Sequence, residues 1–316
     1  MRQHGSGWAR QTAALVAFVS VACWATGAAA QAPPAPAPAP APAPAAATEE
    51  KKEEKNTGRI SISGGIDFPT AYFFRGIKQE TDGYIIQPYG DLTFKLWDGV
   101  PAFSNLALTI GTWNSLHGGP TGVDGPNQDP KMWYESDFYT KVGWTMFEDF
   151  SAALIYTAYM SPNDFFKTVQ ELAVSFAFND SKYLGPFALN PTLLFAFEVK
   201  GQADAGAHRG VYMQLGVTPS YTFNAKGTYP ITLSAPLLLG LSVSEYYEFG
   251  TGNNPTYGYF QGGLGLAVPL AFIPPSLGNW QFKAGVNFVN LGNTLKKVND
   301  NDSFQTIGTF GIAFTY

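Results

Sequence analysis

The sequence predicts an all-β fold: a transmembrane, antiparallel up-and-down β-barrel of about twelve strands, built from residues 57–316. Three observations predict it. Apolar and polar residues alternate along twelve segments, short and long connectors alternate between these segments, and the chain ends on an aromatic-rich strand. Because successive side chains of a strand point to opposite faces, each segment would have one apolar face and one polar face.

The composition excludes several other classes of protein. Charged residues make up 14% of the 316-residue chain, whereas average soluble domains carry roughly 25%. The chain has 19 basic and 24 acidic residues and no basic stripe, so we expect no nucleic-acid partner. After residue 30 no apolar run reaches the ~18–20 residues of a membrane helix. The single cysteine, Cys23, excludes a disulfide framework.

Residues 1–30 are predicted to be a signal peptide. Residues 1–10 contain two arginines, residues 13–25 are an apolar stretch, and residues 28–30 form an A-x-A cleavage site. The alternative is a lipoprotein signal that uses Cys23, but Ser20 stands where such a signal has a large aliphatic residue. Cleavage after residue 30 would leave a mature chain without cysteine.

Residues 31–56 are predicted to be a disordered periplasmic linker. Residues 32–47 alternate Pro and Ala, which favours polyproline II and, at ~3.1 Å per residue, a reach on the order of 50 Å. Residues 48–55 add the charged run TEEKKEEK. We expect a solvated spacer, and the alternative is a tether that contacts peptidoglycan or another partner.

The clearest alternation lies at residues 132–146. The even positions are mostly apolar, whereas Glu135, Asp137 and Lys141 all occupy odd positions. The same alternation recurs in eleven further segments, which are residues 59–68, 91–96, 106–111, 151–160, 171–178, 192–200, 211–218, 231–242, 263–268, 281–288 and 309–316. An even number of spanning strands places both ends of the barrel domain on one side of the membrane.

A soluble β-sandwich also alternates, and it is the main competing fold. The polar register here is rich in Gly, Ser, Thr, Ala and Gln, whereas a sheet facing water would favour Lys and Glu. Short periplasmic turns that alternate with longer outer loops are typical of outer-membrane barrels. Lipid cannot solvate an open sheet edge, so we expect the sheet to close on itself.

Aromatic residues gather at the predicted strand ends and indicate girdles at the two membrane interfaces. Those near the short turns are Trp97, Phe103, Phe147, Phe150, Phe187, Phe223, Tyr229, Phe272, Trp280 and Tyr316. Those expected at the opposite ends are Tyr72, Phe74 and Tyr84.

Two stretches carry a resemblance to known proteins. Residues 309–316 (TFGIAFTY), with Gly311, Phe314 and Tyr316 at the key positions, resemble the C-terminal signal of outer-membrane barrels. This resemblance implies the barrel-assembly machinery as a partner. It also implies export through the periplasm to the cell outer membrane of a Gram-negative-type envelope, with membrane lipids around the barrel.

The first hairpin resembles the TorF-like porin family. The matching residues are 72–79 (YFFRGIKQ), Gln87 and, further on, residues 111–114 (GTWN). The resemblance implies an outer-membrane porin and assigns no substrate.

The charged residues of the inward register are the predicted pore lining. They are Asp67, Arg75, Asp91, Lys95, Glu135, Asp137, Lys141, Glu171, Glu198, Lys200 and Lys283, with Arg75 expected at the outer mouth near Gln87. A barrel of about 8 strands is filled by side chains and one of about 16–18 holds a channel, so twelve strands lie between these cases.

The small inward residues favour a narrow open lumen for passive diffusion of small polar solutes, with no cofactor or metal. The alternative is a structural or anchoring barrel, whose lumen charges pair and close it.

Two further motifs are typical of other functions. Ser115 and His117 share a strand face, which makes an outer-membrane lipid hydrolase an alternative, but they border a Gly/Pro-rich loop and we expect no enzyme. Residues 299–302 (NDND) offer oxygen ligands for a hard cation. They lack the Gly and the distal Glu of an EF-hand loop, so we expect a solvated loop tip.

Overall fold

The computed structural model describes residues 58–119, 121, 132–227, 229–250 and 252–316. The predicted signal peptide (residues 1–30) and linker (residues 31–56) lie outside the described residues. In chain order the elements are β1 (Ile60–Pro69), β2 (Tyr72–Phe74), β3 (Ile77–Glu80), β4 (Ile85–Val100), β5 (Phe103–His117), β6 (Trp133–Met146), β7 (Phe150–Met160), β8 (Val169–Phe178), α1 (Ser181–Leu184), β9 (Thr192–Lys200), β10 (Val211–Val217), β11 (Ser220–Phe223), β12 (Ile231–Ser234), β13 (Leu237–Ser244), β14 (Tyr257–Pro269), β15 (Asn279–Leu291), α2 (Asn293–Val298) and β16 (Phe304–Thr315).

Fourteen of these strands form one antiparallel sheet, which closes where β1 pairs with β16. Two wall strands are interrupted at a proline, which cannot donate to the ladder. Pro219 separates β10 from β11, and Pro236 separates β12 from β13. β10 pairs with β13, and β11 pairs with β12. The consecutive segments β10 and β11 therefore form one wall strand, and the consecutive segments β12 and β13 form another. The wall therefore has twelve strands, which confirms the predicted closed barrel.

The wall has two unlike faces, as the alternation predicts. On β6 the outward Phe138 is 43% exposed, whereas the neighbouring Asp137 is 0% exposed. Large apolar side chains are exposed on the outside of many other wall strands, including Leu92, Leu154, Leu172 and Leu264. Among the described residues, no helix is long and apolar enough to cross a membrane.

The two ends of the barrel differ in their connectors. The termini end carries residues 58 and 316 and the turns at residues 101–102 and 147–149. Exposed aromatic side chains surround this end, including Trp97, Phe147 and Phe272, as expected for a girdle. The opposite end, called the loop end below, carries the connectors that follow β1, β5, β7, β9, β13 and β15.

The largest difference from the prediction is a hairpin at the loop end. Strands β2 and β3 pair only with each other among the described strands, as a separate two-stranded sheet. Tyr72 is 0% exposed, and Phe73, Phe74 and Arg75 are also buried. The chain therefore folds back into the lumen between β1 and β4, and residues 70–82 are called the inner hairpin. Tyr72 and Phe74 are thus not girdle residues, whereas Tyr84 is exposed.

The inner hairpin is covered by apolar packing rather than by strand pairing. Its Phe73 and Ile77 belong to one buried cluster with Tyr259, Leu291 and Leu295. A methyl group at Gly76, whose φ is 83°, would lie 2.7 Å from a Leu295 methyl carbon, so α2 packs directly over the hairpin turn. The inner hairpin accordingly occupies part of the predicted passage at the loop end.

Candidate functional site in the barrel lumen

The centre of the loop-end lumen is a buried ion pair between the inner hairpin and the wall. Arg75 occupies the hairpin turn with a φ of 47°. Its Nη1 and Nη2 donate to Oε1 and Oε2 of Glu171, each at 2.7 Å, and Nη1 also donates to the Tyr246 hydroxyl at 2.6 Å. This bidentate geometry is the strongest form of an arginine–carboxylate contact. Since both partners are buried, the loss of either one leaves an uncompensated charge.

Aromatic rings complete the surroundings of the guanidinium. The Arg75 Cζ lies 4.2 Å from the Tyr212 ring centroid and 5.2 Å from that of Tyr246, within the range of cation–π attraction. The Tyr159 hydroxyl donates to Oε2 of Glu171 at 3.0 Å, which fixes the carboxylate. Glu171, Tyr159, Tyr212 and Tyr246 are together called the Arg75 cage.

Loop residues hold the hairpin turn from the other side. Asn299 Nδ2 donates to the Gly76 carbonyl at 2.7 Å, and the Lys78 amide donates to Asn299 Oδ1 at 2.9 Å. Tyr247 donates from its hydroxyl to the Arg75 carbonyl at 3.1 Å. Asn299 is 1% exposed, so this part of the NDND motif is not a solvated loop tip. Asp300 forms an ion pair with Lys78.

Two further carboxyl groups on β6 face the hairpin. Glu135 Oε2 accepts a hydrogen bond from the Tyr72 hydroxyl at 2.7 Å. Asp137 is fully buried, and neither of its oxygens has a hydrogen-bond partner among the described residues. The two acids therefore lie side by side against the hairpin, next to the cage, and Asp137 interacts electrostatically with Glu135.

Glu198 has a different role from the one predicted for a pore-lining charge. It accepts from the amides of Ala203 at 2.5 Å and Gly210 at 2.6 Å, so it ties the loop after β9 to the wall. In the register it lies directly opposite Glu171 on the neighbouring strand.

Ser115 and His117 are brought together with a third group that the sequence did not suggest. The Ser115 hydroxyl lies 2.7 Å from Nε2 of His117, and Nδ1 of His117 lies 4.0 Å from Oε2 of Glu80. All three side chains are buried, and Glu80 belongs to the inner hairpin. These groups therefore lie where the inner hairpin meets β5.

The termini-end half of the lumen holds the remaining predicted charges. Lys283 donates to Oδ2 of Asp67 at 3.2 Å and to the Tyr89 hydroxyl at 2.9 Å. Asp91 accepts from Ser63 at 2.8 Å and lies within electrostatic reach of Lys141.

The termini-end mouth contains the last of the predicted lining residues. Lys95 is exposed there and pairs with Asp98. A cavity of about 250 Å³ opens at this mouth, lined by Gly58, Arg59, Ser61, Thr93, Lys95, Asn105 and Ala107.

The predicted lining residues thus fall into two groups that do not meet. Arg75, Glu135, Asp137, Glu171 and Glu198 gather around the hairpin, and the others lie toward the termini end, except Lys200, which is exposed where β9 ends. Arg75 is not a wall residue near Gln87, because it sits on the hairpin and contacts β8. The sequence did not mark the three cage tyrosines as site residues, since alternation does not show that a residue contacts an inserted segment. Asn299 was predicted to lie in a solvated loop tip, whereas it holds the hairpin turn.

Two loops at the loop end are locked by carboxylates. The pKa of Glu248 is held below its usual value: burial raises it, but hydrogen bonds from the amides of His208 and Ala207 and from the His208 ring outweigh burial. Burial raises the pKa of Asp204, although the amides of Phe249 and Gly206 donate to it. These contacts join the loops after β9 and β13 over the cage.

Comparison with known proteins gives a likeness in fold. The NanC porin is similar with a TM-score of 0.40 and 9% identity over 81% of this chain and 98% of that one. The β domain of the Bordetella autotransporter BrkA is similar with a TM-score of 0.38 and 8% identity over 81% and 98%. No protein-family model matches, and no curated protein matches. The resemblance to the TorF-like family therefore stays a prediction, and the closed barrel rests on the strand registers themselves.

Proposed function

We propose that the protein is an outer-membrane barrel whose lumen forms a narrow, porin-like passage for small polar solutes. The observation that carries the proposal is the contrast between the faces of the wall. Apolar side chains such as Leu154 and Leu264 are exposed outside, whereas the charged residues Asp67, Glu135 and Lys283 point inward. Because a basic residue costs ~2–4 kcal/mol at the lipid midplane, such charges belong in a wet or paired lumen.

The passage in this proposal is open at the termini end and narrowed at the loop end. In this proposal solutes enter through the cavity near Lys95. The inner hairpin, held by the Arg75–Glu171 pair, narrows the lumen at the loop end. Solutes that pass are therefore small, and their flux depends on how the hairpin is held.

A structural or anchoring barrel is the second candidate, and the inner hairpin is the specific observation that favours it. The hairpin fills the loop end, and its arginine is paired with the wall. In this case the lumen is closed and the protein supports the envelope without transport.

Bilayer conductance distinguishes the two functions. The purified protein, shown to be folded by heat-modifiable gel migration, is inserted into planar bilayers. The channel proposal predicts small single-channel steps in the wild type. If folded and inserted protein gives no steps, the channel proposal is wrong and the structural barrel is supported.

The proposal includes the predicted partners. We propose that lipids surround the wall and that the last strand is read by the barrel-assembly machinery. For residues 31–56 we propose a solvated spacer, with contact to peptidoglycan as the alternative. Support for the second point is that Gly311 lies opposite Asp67 at the closing seam and that Phe314 stacks on Trp280 at 4.9 Å. We propose neither an enzymatic activity nor a cofactor.

A further inference from the structure

We infer that the Arg75 cage is a binding site for small organic cations with a guanidinium group, and that Arg75 is its tethered occupant. A cation of this class that enters the lumen competes with Arg75 for Glu171 and the surrounding tyrosines. This inference deepens the proposed channel function and rests on it for the route by which the cation arrives.

The cage contacts the guanidinium group itself. Glu171 binds both terminal nitrogens, the Tyr246 hydroxyl accepts from one of them, and the Tyr212 ring lies against the planar face. A free guanidinium offers the same planar donors and the same face. The cage residues come from β7, β8, β10 and the loop after β13, so the site stays in place when the hairpin moves.

The acidic residues around the cage determine that the ligand carries a positive charge. Five buried carboxyl groups lie in this half of the lumen: Glu80, Glu135, Asp137, Glu171 and Glu198. Among the described residues Arg75 is the buried cation that offsets them. Asp137 interacts electrostatically with Glu135 and with Glu171. An anion in place of Arg75 would leave the Glu171 carboxylate unpaired, whereas a cation that replaces Arg75 keeps it compensated.

The hairpin is attached to the wall in a way that allows a free cation to replace the Arg75 side chain in the cage. It has no strand pairing with the wall among the described strands. Apart from one backbone hydrogen bond at its base, from Thr70 to Gly308 on β16, it is held by side-chain contacts. These are chiefly the contacts of Arg75, of Tyr72 with Glu135, and of Asn299 with the turn. A competing cation can therefore replace the Arg75 contacts without opening the barrel ladder.

The test uses full-length protein folded in detergent and methylguanidinium as the probe, with urea as the uncharged analogue. In the Arg75→Ala variant the cage is vacant, so methylguanidinium should raise the temperature at which the heat-modifiable form is lost. At about 100 times the Kd the unfolding equilibrium shifts about a hundredfold. Urea should give no such rise. The wild type should respond less, because Arg75 already fills the site.

Two further variants make the result specific. Adding Glu171→Gln to Arg75→Ala should abolish the response, since the carboxylate that pairs with the cation is gone. Lys283→Ala removes a lumen cation from a place without this cage, and its response should not exceed that of the wild type. An equal response to methylguanidinium in Arg75→Ala and in the double variant would overturn the inference.

Failure to fold is also informative. If Arg75→Ala gives no heat-modifiable form, refolding is repeated with methylguanidinium, and recovery of the folded form supports the site. No recovery, together with no response of the milder Arg75→Lys variant, contradicts it.

Conductance separates this inference from the channel proposal. In bilayers methylguanidinium should reduce the steps of Arg75→Ala, whereas urea should not. If no variant conducts but methylguanidinium stabilises Arg75→Ala selectively, the channel proposal fails and the site stands. If the variants conduct and methylguanidinium acts no differently from urea, the site is wrong and the channel stands.

Discussion

At the residue scale, the Arg75–Glu171 pair is the contact with the largest expected effect on stability. Glu171→Ala leaves the buried guanidinium without its carboxylate, which typically costs roughly 3–5 kcal/mol. Chemical denaturation of the folded barrel should show this loss. Glu148→Gln, at an exposed turn of the termini end, is the control and should change the stability by less than about 0.5 kcal/mol. Equal stability of the two variants would show that the pair is not formed.

The pKa of Glu248 predicts how the loop-end cover responds to acid. Because this pKa is lowered in the folded protein, the carboxylate stabilises the loops above its unfolded pKa of about 4.3. The stabilisation is lost as pH falls through the folded value. Limited proteolysis within residues 201–210 should therefore accelerate in acid, and Glu248→Gln should remove most of this pH dependence. An unchanged acid response in the Glu248→Gln variant would show that the Glu248 carboxylate does not hold these loops together.

At the element scale, the inner hairpin determines how narrow the lumen is. Asn299→Ala removes two hydrogen bonds to the hairpin turn and should cost ~1–3 kcal/mol locally. The hairpin then spends more time away from the wall, so single-channel steps should become larger or more frequent. Asn293→Ala, on the exposed side of the same connector, is the matched control. Identical conductance in both variants would mean that the hairpin does not limit the passage.

The inner hairpin, unlike the wall strands, could not be predicted from the sequence. The wall strands were predictable because each one repeats its alternation over enough residues to separate the two faces, as β6 does between Glu135 and Thr145. The hairpin strands are only Tyr72–Phe74 and Ile77–Glu80, too short for a period to appear. In the sequence, the aromatic residues of the hairpin therefore look the same as girdle residues at the end of a wall strand. The partners of Arg75 lie about 96 and 171 residues away in the chain, and only the closed barrel brings them together.

At the scale of the whole molecule, the outer face must be apolar for the barrel to stay in lipid. Leu154 is 53% exposed in the middle of the span of β7. Leu154→Lys should cost ~2–4 kcal/mol in a bilayer, seen as a loss of heat-modifiable protein after folding into vesicles. Thr93→Lys, which points into the open mouth near Lys95, should fold normally. Equal folding of both variants would show that Leu154 does not face lipid.

The central claim is that neighbouring residues of one strand lie in two different solvents. It is tested most directly by spin labels placed one at a time along residues 91–96 of β4 in the protein reconstituted into vesicles. Collisions with oxygen should peak at Leu92, Phe94 and Leu96, and collisions with a water-soluble nickel complex should peak at Asp91, Thr93 and Lys95. Two profiles in opposite phase with a period of two would support the barrel in lipid. Profiles without that period, or with water reaching Leu92 and Leu96, would contradict it.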